Sequence, residues 1–257
     1  MMDHLPLLQR HGAVASLSLR RPLQRNRLHD EDLFTLLRQF DEVEADQSIR
    51  VLVLKAETTG QPRPVFCAGY NVNDFEAGHH DPRLFESIPD RLEALRPITV
   101  CALNGSVYGG ATDLALACDL RVGLAGCEFL MPACALGLHY YPSGLRRFVS
   151  RLGAGLAQKA FLTAAPLPFD ALYQAHALTA LHDAEHFEAG LQDLLDRVAR
   201  LAPLAVQACK QSLRELIAGG ADEATLRCRE ALTLASADFA EGRRAFSERR
   251  PARFTGQ

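Results

Sequence analysis

A disulfide framework and a zinc site are both missing from this chain of 257 residues. Its seven cysteines, Cys67, Cys101, Cys118, Cys127, Cys134, Cys209 and Cys228, are odd in number, show no C-x-x-C spacing and sit mostly inside apolar segments. They read as buried thiols. No apolar run is long enough to span a bilayer, and the N-terminal M-M-D-H-L-P-L-L-Q-R-H lacks the apolar core of a signal peptide, so a cytoplasmic protein with no membrane partner is expected. Charge of one sign is not in excess: 28 Lys and Arg against 31 Asp and Glu leave a net charge of -3. With the basic residues dispersed, except around Arg243 to Arg253, nothing marks a nucleic-acid partner. Internal repeats and low-complexity tracts are absent too, which excludes solenoids and long linkers. The pair His79-His80, in an aperiodic stretch from Asp74 to Pro82 that reads as a mobile loop, lacks a third ligand, so no metal is expected.

What is present is an alternation of strands and helices in the first half. Ala13 to Leu19 alternates as a strand does, and Asp30 to Ala45 carries Leu33, Leu36, Leu37 and Phe40 at helical spacing with Asp30 as N-cap. Val51 to Leu54 is a continuous apolar run, as expected of a strand covered on both faces. Val65 to Asn71 predicts a strand ending on a glycine, and Pro82 to Leu95 a broken helix. Further strands are expected at Leu120 to Leu124 and Cys127 to Met131. From Leu145 onward helices predominate: Arg147 to Leu162, Asp170 to Leu178, Ala184 to Leu201, Leu204 to Ile217 and Ala221 to Phe246. A parallel or mixed α/β sheet with helical cover follows, with residues 1–200 as the core and 201–257 as a separate helical region.

The chemistry is expected in Leu103 to Asp119, L-N-G-S-V-Y-G-G-A-T-D-L-A-L-A-C-D. The strand predicted from Pro97 to Leu103 runs into a tight turn, and Gly109-Gly110 lies at the mouth of a short buried helix. Amides there have no intrahelical partner, the helix dipole favours negative charge, and glycine lets a ligand approach. A carbonyl oxygen becoming an oxyanion suits that spot; a purely structural helix start is the other reading. The strand ending at Gly69 offers a second amide, that of Tyr70, and two such donors make the device that stabilises a thioester enolate. His139, Tyr140 and Tyr141 follow one another in a loop, either as surface residues or as polar tips turned into a site. Ser143 lacks a G-x-S-x-G setting, which argues against a serine nucleophile.

Four segments carry a resemblance to the crotonase superfamily, the enoyl-CoA hydratase/isomerase family. R-R-P-L-Q-R-N-R-L (Arg20 to Leu28) resembles its R-P-x-x-x-N-A-L, V-F-C-A-G-Y-N-V (Val65 to Val72) its F-x-A-G-A-D-L, and N-G-S-V-Y-G-G-A-T-D-L-A-L-A-C-D-L (Asn104 to Leu120) its N-G-x-x-x-G-G-G-x-E-L-x-x-x-C-D. E-G-R-R-A-F-S-E-R-R-P-A-R-F (Glu241 to Phe254) is similar to its C-terminal E-G-x-x-A-F-x-E-K-R-x-P-x-F. The resemblance implies a crotonase-like (ClpP/crotonase) spiral of strand-strand-helix turns, a helical C-terminal trimerisation region, and a homotrimer or homohexamer. It implies an acyl-CoA thioester substrate and no separate cofactor, CoA being part of the substrate. By position, the amides of Tyr70 and Gly110 form the oxyanion hole, with Ala68, Gly69 and Gly109 as residues that bind the substrate and its CoA. Arg25 and Arg249 match places where the family sets basic residues against CoA phosphates; otherwise they are surface charges.

The family's hydratases use two glutamates. The first position is Asp113, which keeps a carboxylate with a reach shorter by about 1.5 Å; it is either a base for water or a first-turn helix acid. The second follows a proline in the family and is Ala133 here, after Pro132. Alanine carries no proton, so two-acid hydration is expected to be slow. Chemistry needing only the enolate survives: decarboxylation of a malonyl-type CoA thioester, with Tyr140 or water returning the proton, or hydrolysis or retro-Claisen cleavage with His139 as base. A non-catalytic CoA-binding subunit is the reading from outside enzymology.

Overall fold

The computed structural model describes residues 4–71 and 83–257, so the His79-His80 stretch lies outside the described residues. Two sheets form the core. Leu7–His11 (β1) and Val14–Leu19 (β2) make an antiparallel hairpin, after which Asp30–Ala45 (α1), Val51–Ala56 (β3) and Val65–Cys67 (β4) follow. Leu84–Ala94 (α2) leads to Ile98–Leu103 (β5), Ser106–Tyr108 (β6), Gly110–Ala117 (α3), Leu120–Leu124 (β7) and Glu128–Leu130 (β8). A short 3-10 turn at Ala133–Leu136 precedes Pro142–Thr163 (α4), Leu167–Pro168 (β9), Phe169–Gln174 (α5), Ala180–His182 (β10) and Phe187–Ala199 (α6).

The first sheet runs β1-β2-β3-β5-β7-β10 and the second β4-β6-β8-β9. Successive strands therefore alternate between sheets: β3, β5 and β7 enter the first, β4, β6 and β8 the second. Each pair is one strand-strand turn of a spiral, with a helix before the next; β2-β3-β5-β7 and β4-β6-β8 run parallel, whereas β1 and β9 pair antiparallel with β2 and β8. β3 lies in the middle of its sheet, with Val51, Leu52, Val53 and Leu54 all buried, as the continuous apolar run requires.

Several polar residues of the motifs hold this frame. Asn104 donates from Nδ2 to the Ala56 carbonyl at 2.8 Å, tying the β5–β6 turn to β3. Asp119 accepts from the Thr99 amide at 2.8 Å and from the Thr99 hydroxyl at 2.9 Å, fixing the start of β5. The buried Arg121 donates to the Cys118 carbonyl at 2.6 Å and the Ala177 carbonyl at 2.7 Å. It thereby satisfies a carbonyl that α3 leaves open at its C-terminus.

The chain divides into two compact units, Met1–Asp193 and Leu194–Gln257. The second holds Pro203–Ala218 (α7), Glu223–Leu234 (α8) and Ala237–Ser247 (α9). Here the single helix expected from Ala221 to Phe246 is two, because Ser236 accepts the Phe239 amide at 3.0 Å and starts a new helix. Strands are likewise not confined to the first half: β9 and β10 add an edge to each sheet. At α1, His29 rather than Asp30 takes the cap position, and its amide donates to Asp32 at 2.9 Å. Cys67, Cys101, Cys118 and Cys127 are buried free thiols, whereas Cys134, Cys209 and Cys228 are exposed, being on a turn and on outward helix faces. Among the described residues no helix is long and apolar enough to cross a membrane.

Candidate functional site

Two strand ends of the second sheet meet. β4 leads into Ala68 and Gly69 and β6 into Gly109, and both glycines have positive φ, +94° and +57°. A Cβ on Gly69 would stand 2.9 Å from the Tyr108 carbonyl oxygen and 3.4 Å from the Gly110 nitrogen. Only a glycine permits this approach, which brings Gly69 beside the first amide of α3. Residues 25–28 run alongside and hold the first turn in place. The Ala68 amide donates to the Arg25 carbonyl at 2.9 Å, the Leu28 amide to Gly69 at 2.9 Å, and the Asn71 amide to Leu28 at 2.9 Å. Asn26, buried and in a left-handed conformation, anchors that segment by accepting from the Arg21 amide at 2.9 Å and donating to the Glu57 carbonyl at 2.9 Å. The Tyr70 hydroxyl donates to Asp30 at 2.5 Å.

The ring of Phe85, on α2, covers Gly110. Its Cζ lies 2.5 Å from the position a Gly110 Cβ would take, and its centroid is 5.5 Å from that of Tyr70. Nothing in the sequence singled this residue out, since a phenylalanine early in an amphipathic helix is an ordinary core residue.

Asp113 sits one turn further along α3, on the same side as Gly110. It is fully buried and bonded at both oxygens. Arg147 grips it in two-pronged fashion, Nε to Oδ1 at 2.8 Å and Nη2 to Oδ2 at 2.8 Å, and the Tyr141 hydroxyl donates to Oδ2 as well. The Tyr140 hydroxyl donates in turn to that of Tyr141 at 3.0 Å. Arg147 also reaches Asp90 at 2.7 Å and Glu93 at 3.2 Å on α2. Burial alone pushes the Arg147 guanidinium down, but the bonds to Asp113 and Asp90 outweigh it and hold the cation above its ordinary range. Burial, and then the charge of Asp113, push both tyrosines up, so the phenols keep their protons.

Tyr140 and Tyr141 are thus turned inward, rings stacked 4.2 Å apart, whereas His139 beside them is exposed. Ala133 is buried at the start of the 3-10 turn. The nearest carboxylate in sequence, Glu128, accepts from the Tyr108 hydroxyl at 3.0 Å. Arg25 is exposed beside the first glycine turn, and Arg249 is exposed in the second unit, after α9. Among the described residues no group of three or more His, Cys, Asp or Glu is placed to hold a metal.

Sequence reasoning missed Arg147, although a signal existed. Gly144, Phe148 and Leu152 form the buried stripe of α4, and Arg147 stands within it. A charge on a core-facing stripe demands a buried partner of opposite sign.

Fold and site together define an α/β spiral in which two glycine turns meet at the mouth of a short buried helix. Comparison with known proteins gives the family. A profile of the enoyl-CoA hydratase/isomerase family matches residues 9–257. The chain is 32% identical over 260 residues to the 2,3-dehydroadipyl-CoA hydratase of Escherichia coli K12, covering 98% of each. It is 25% identical over 256 residues to the crotonyl-CoA hydratase of Syntrophomonas wolfei, covering 96% of each. The crystal structure of enoyl-CoA hydratase subunit I from Geobacillus kaustophilus superposes with a TM-score of 0.85 at 26% identity, covering 98% of both chains. The protein belongs to the enoyl-CoA hydratase/isomerase family.

Proposed function

We propose that this enzyme acts on acyl-CoA thioesters by holding the thioester carbonyl oxygen between the amides of Tyr70 and Gly110. The observation that carries this reading is the close approach of the two glycine turns, with the Gly69 Cβ position 3.4 Å from the Gly110 nitrogen. Negative charge developing on that oxygen gains from two fixed donors and from the helix dipole of α3, neither of which must reorganise during the reaction. Arg25, exposed beside the Ala68 turn, is the proposed phosphate partner of the CoA.

The relatives named as hydratases make a 2-enoyl-CoA the first substrate to assay. Hydration needs a carboxylate to activate water and a second group to protonate the α-carbon. Asp113, expected as the base, has Arg147 and Tyr141 on its oxygens, and the second position is Ala133. With both of its oxygens already taken by Arg147 and Tyr141, Asp113 is favoured as a structural residue: it holds Arg147, Tyr141 and, through Arg147, α2.

These two observations favour a second reading, decarboxylation of a malonyl-type CoA thioester. The bond from the α-carbon to the carboxylate breaks, its electron pair becomes the enolate held by the two amides, CO2 leaves, and a proton returns to the α-carbon. Water is the favoured proton source. The Tyr140 hydroxyl is directed at Tyr141, and burial and the Asp113 charge oppose its ionisation.

The test is to incubate the enzyme with crotonyl-CoA, methylmalonyl-CoA and a β-keto acyl-CoA and follow each product by mass. CO2 release from methylmalonyl-CoA with slow hydration is expected. Hydration at an ordinary enzymatic rate overturns the decarboxylase reading; cleavage of the β-keto substrate points to His139 chemistry. Silence on all three with CoA still bound leaves a binding subunit.

A further inference from the structure

We propose that Phe85 sets the length of acyl chain this enzyme accepts, admitting short or compact acyl groups and turning away long straight ones. The inference rests on the thioester reading above and adds to it the residue that bounds the acyl space. Three atoms of the Phe85 ring, Cζ, Cε1 and Cε2, lie 2.5, 2.8 and 3.1 Å from where a Gly110 side chain would begin. The ring therefore fills the vacant side-chain position of the residue whose amide is proposed to hold the carbonyl. The ring of Tyr70, the residue carrying the second amide, lies 5.5 Å away between centroids. A thioester oxygen placed between those two amides puts the acyl carbons against the Phe85 ring.

The ring is also held in place. It is 6% exposed, and its helix is fastened to α4 through Asp90 and Glu93, which accept from Arg147 at 2.7 and 3.2 Å. The Ser143 hydroxyl donates to the neighbouring Glu86 at 3.4 Å. A wall supported by a buried arginine yields less readily than a side chain on a free loop, so added methylenes meet an aromatic face instead of open space. Because one methylene in an apolar pocket changes selectivity by about 10–200-fold, a single misplaced ring is enough to define a chain-length limit.

The experiment measures binding, so that it does not depend on which reaction the enzyme performs. S-(2-oxoalkyl)-CoA ketones with propyl and heptyl tails keep the carbonyl and cannot be hydrolysed; their affinities and that of free CoA are measured by calorimetry for the wild type, Phe85→Leu and Phe85→Ala. The wild type is expected to prefer the propyl ligand by at least about tenfold. Both variants are expected to lose or reverse that preference with free CoA affinity unchanged. If the alanine variant fails to fold, the leucine variant, which keeps most of the apolar contact, decides. A wild type indifferent to tail length, or variants with an unaltered preference, overturns the role of Phe85 while leaving the thioester reading standing. Failure of the wild type to bind either ketone or CoA overturns the thioester reading and this inference with it.

Discussion

Gly110 contributes both an amide and an empty side-chain position, and substitution separates the two. Gly110→Ala keeps the N–H but places a Cβ 2.5 Å from Phe85 Cζ; Gly110→Pro makes the same intrusion and removes the donor. In both variants the Phe85 ring must shift to admit the Cβ, and proline is tolerated at a first helical position, so the pair differs chiefly in the donor. Turnover of the proline variant is predicted to fall by about 10²–10³-fold below that of the alanine variant, the usual effect of deleting one oxyanion donor. Equal rates for the pair count against an amide role. Arg147 has a different liability. Its charge is fully buried and paired to the equally buried Asp113, so Arg147→Met leaves an uncompensated carboxylate. The loss is predicted at about 3–5 kcal/mol in urea unfolding, with recovery when Asp113→Asn is added. An Arg147→Met protein as stable as the wild type contradicts the ion pair. Cys67 is equally buried, and burial pushes its thiol up to about 12. It is expected to resist alkylation at neutral pH until the protein unfolds.

Among the elements, α9 shows how local charge holds the end of the chain. Glu241 accepts from Arg250 at 2.6 Å, from Arg244 at 2.6 Å and from the Arg253 amide at 3.0 Å. The bonds to Arg250, then Arg244, hold its carboxyl well below the usual range. A depressed folded-state value means that the stabilisation is fully present above the ordinary glutamate pKa and is lost as pH falls from there through the lower folded-state value. Melting of the wild type and Glu241→Gln, followed by circular dichroism, should therefore differ at neutral pH and converge in acid. A gap that persists in acid assigns the difference to something other than ionisation. Ser236→Ala, which removes the cap that separates α8 from α9, is expected to cost about 1 kcal/mol. That break escaped notice in the sequence because apolar spacing continues across it; a lone serine is a weak signal until its hydroxyl is seen on the Phe239 amide. By contrast α1, written in a clean stripe of Leu33, Leu36 and Phe40, has the observed bounds Asp30–Ala45.

For the whole molecule, the second unit exposes Leu213, Leu216, Leu232, Leu234 and Phe246, the last 88% accessible. Large apolar side chains grouped on one helical unit mark an interaction surface, and self-association into a trimer or hexamer is the proposal. Sedimentation equilibrium should give a multiple of three chain masses, and Phe246→Glu combined with Leu232→Glu should sediment as a monomer. A wild-type monomer removes the proposal.

Local patterning by itself settled the strand and helix alternation and the two glycine turns, because hydrophobic period and the steric permissiveness of glycine act between near neighbours in the chain. It also carried the family, through motifs whose Asn26, Asn104 and Asp119 turn out to brace the frame. Only the tertiary structure decided that strands β4 and β6 end against each other, that Phe85 fills the space beside Gly110, and that Asp113 is committed to Arg147. Those three pairings join residues far apart in sequence, and a carboxylate looks the same in the sequence whether its partner is water or a buried guanidinium; packing alone chooses between them.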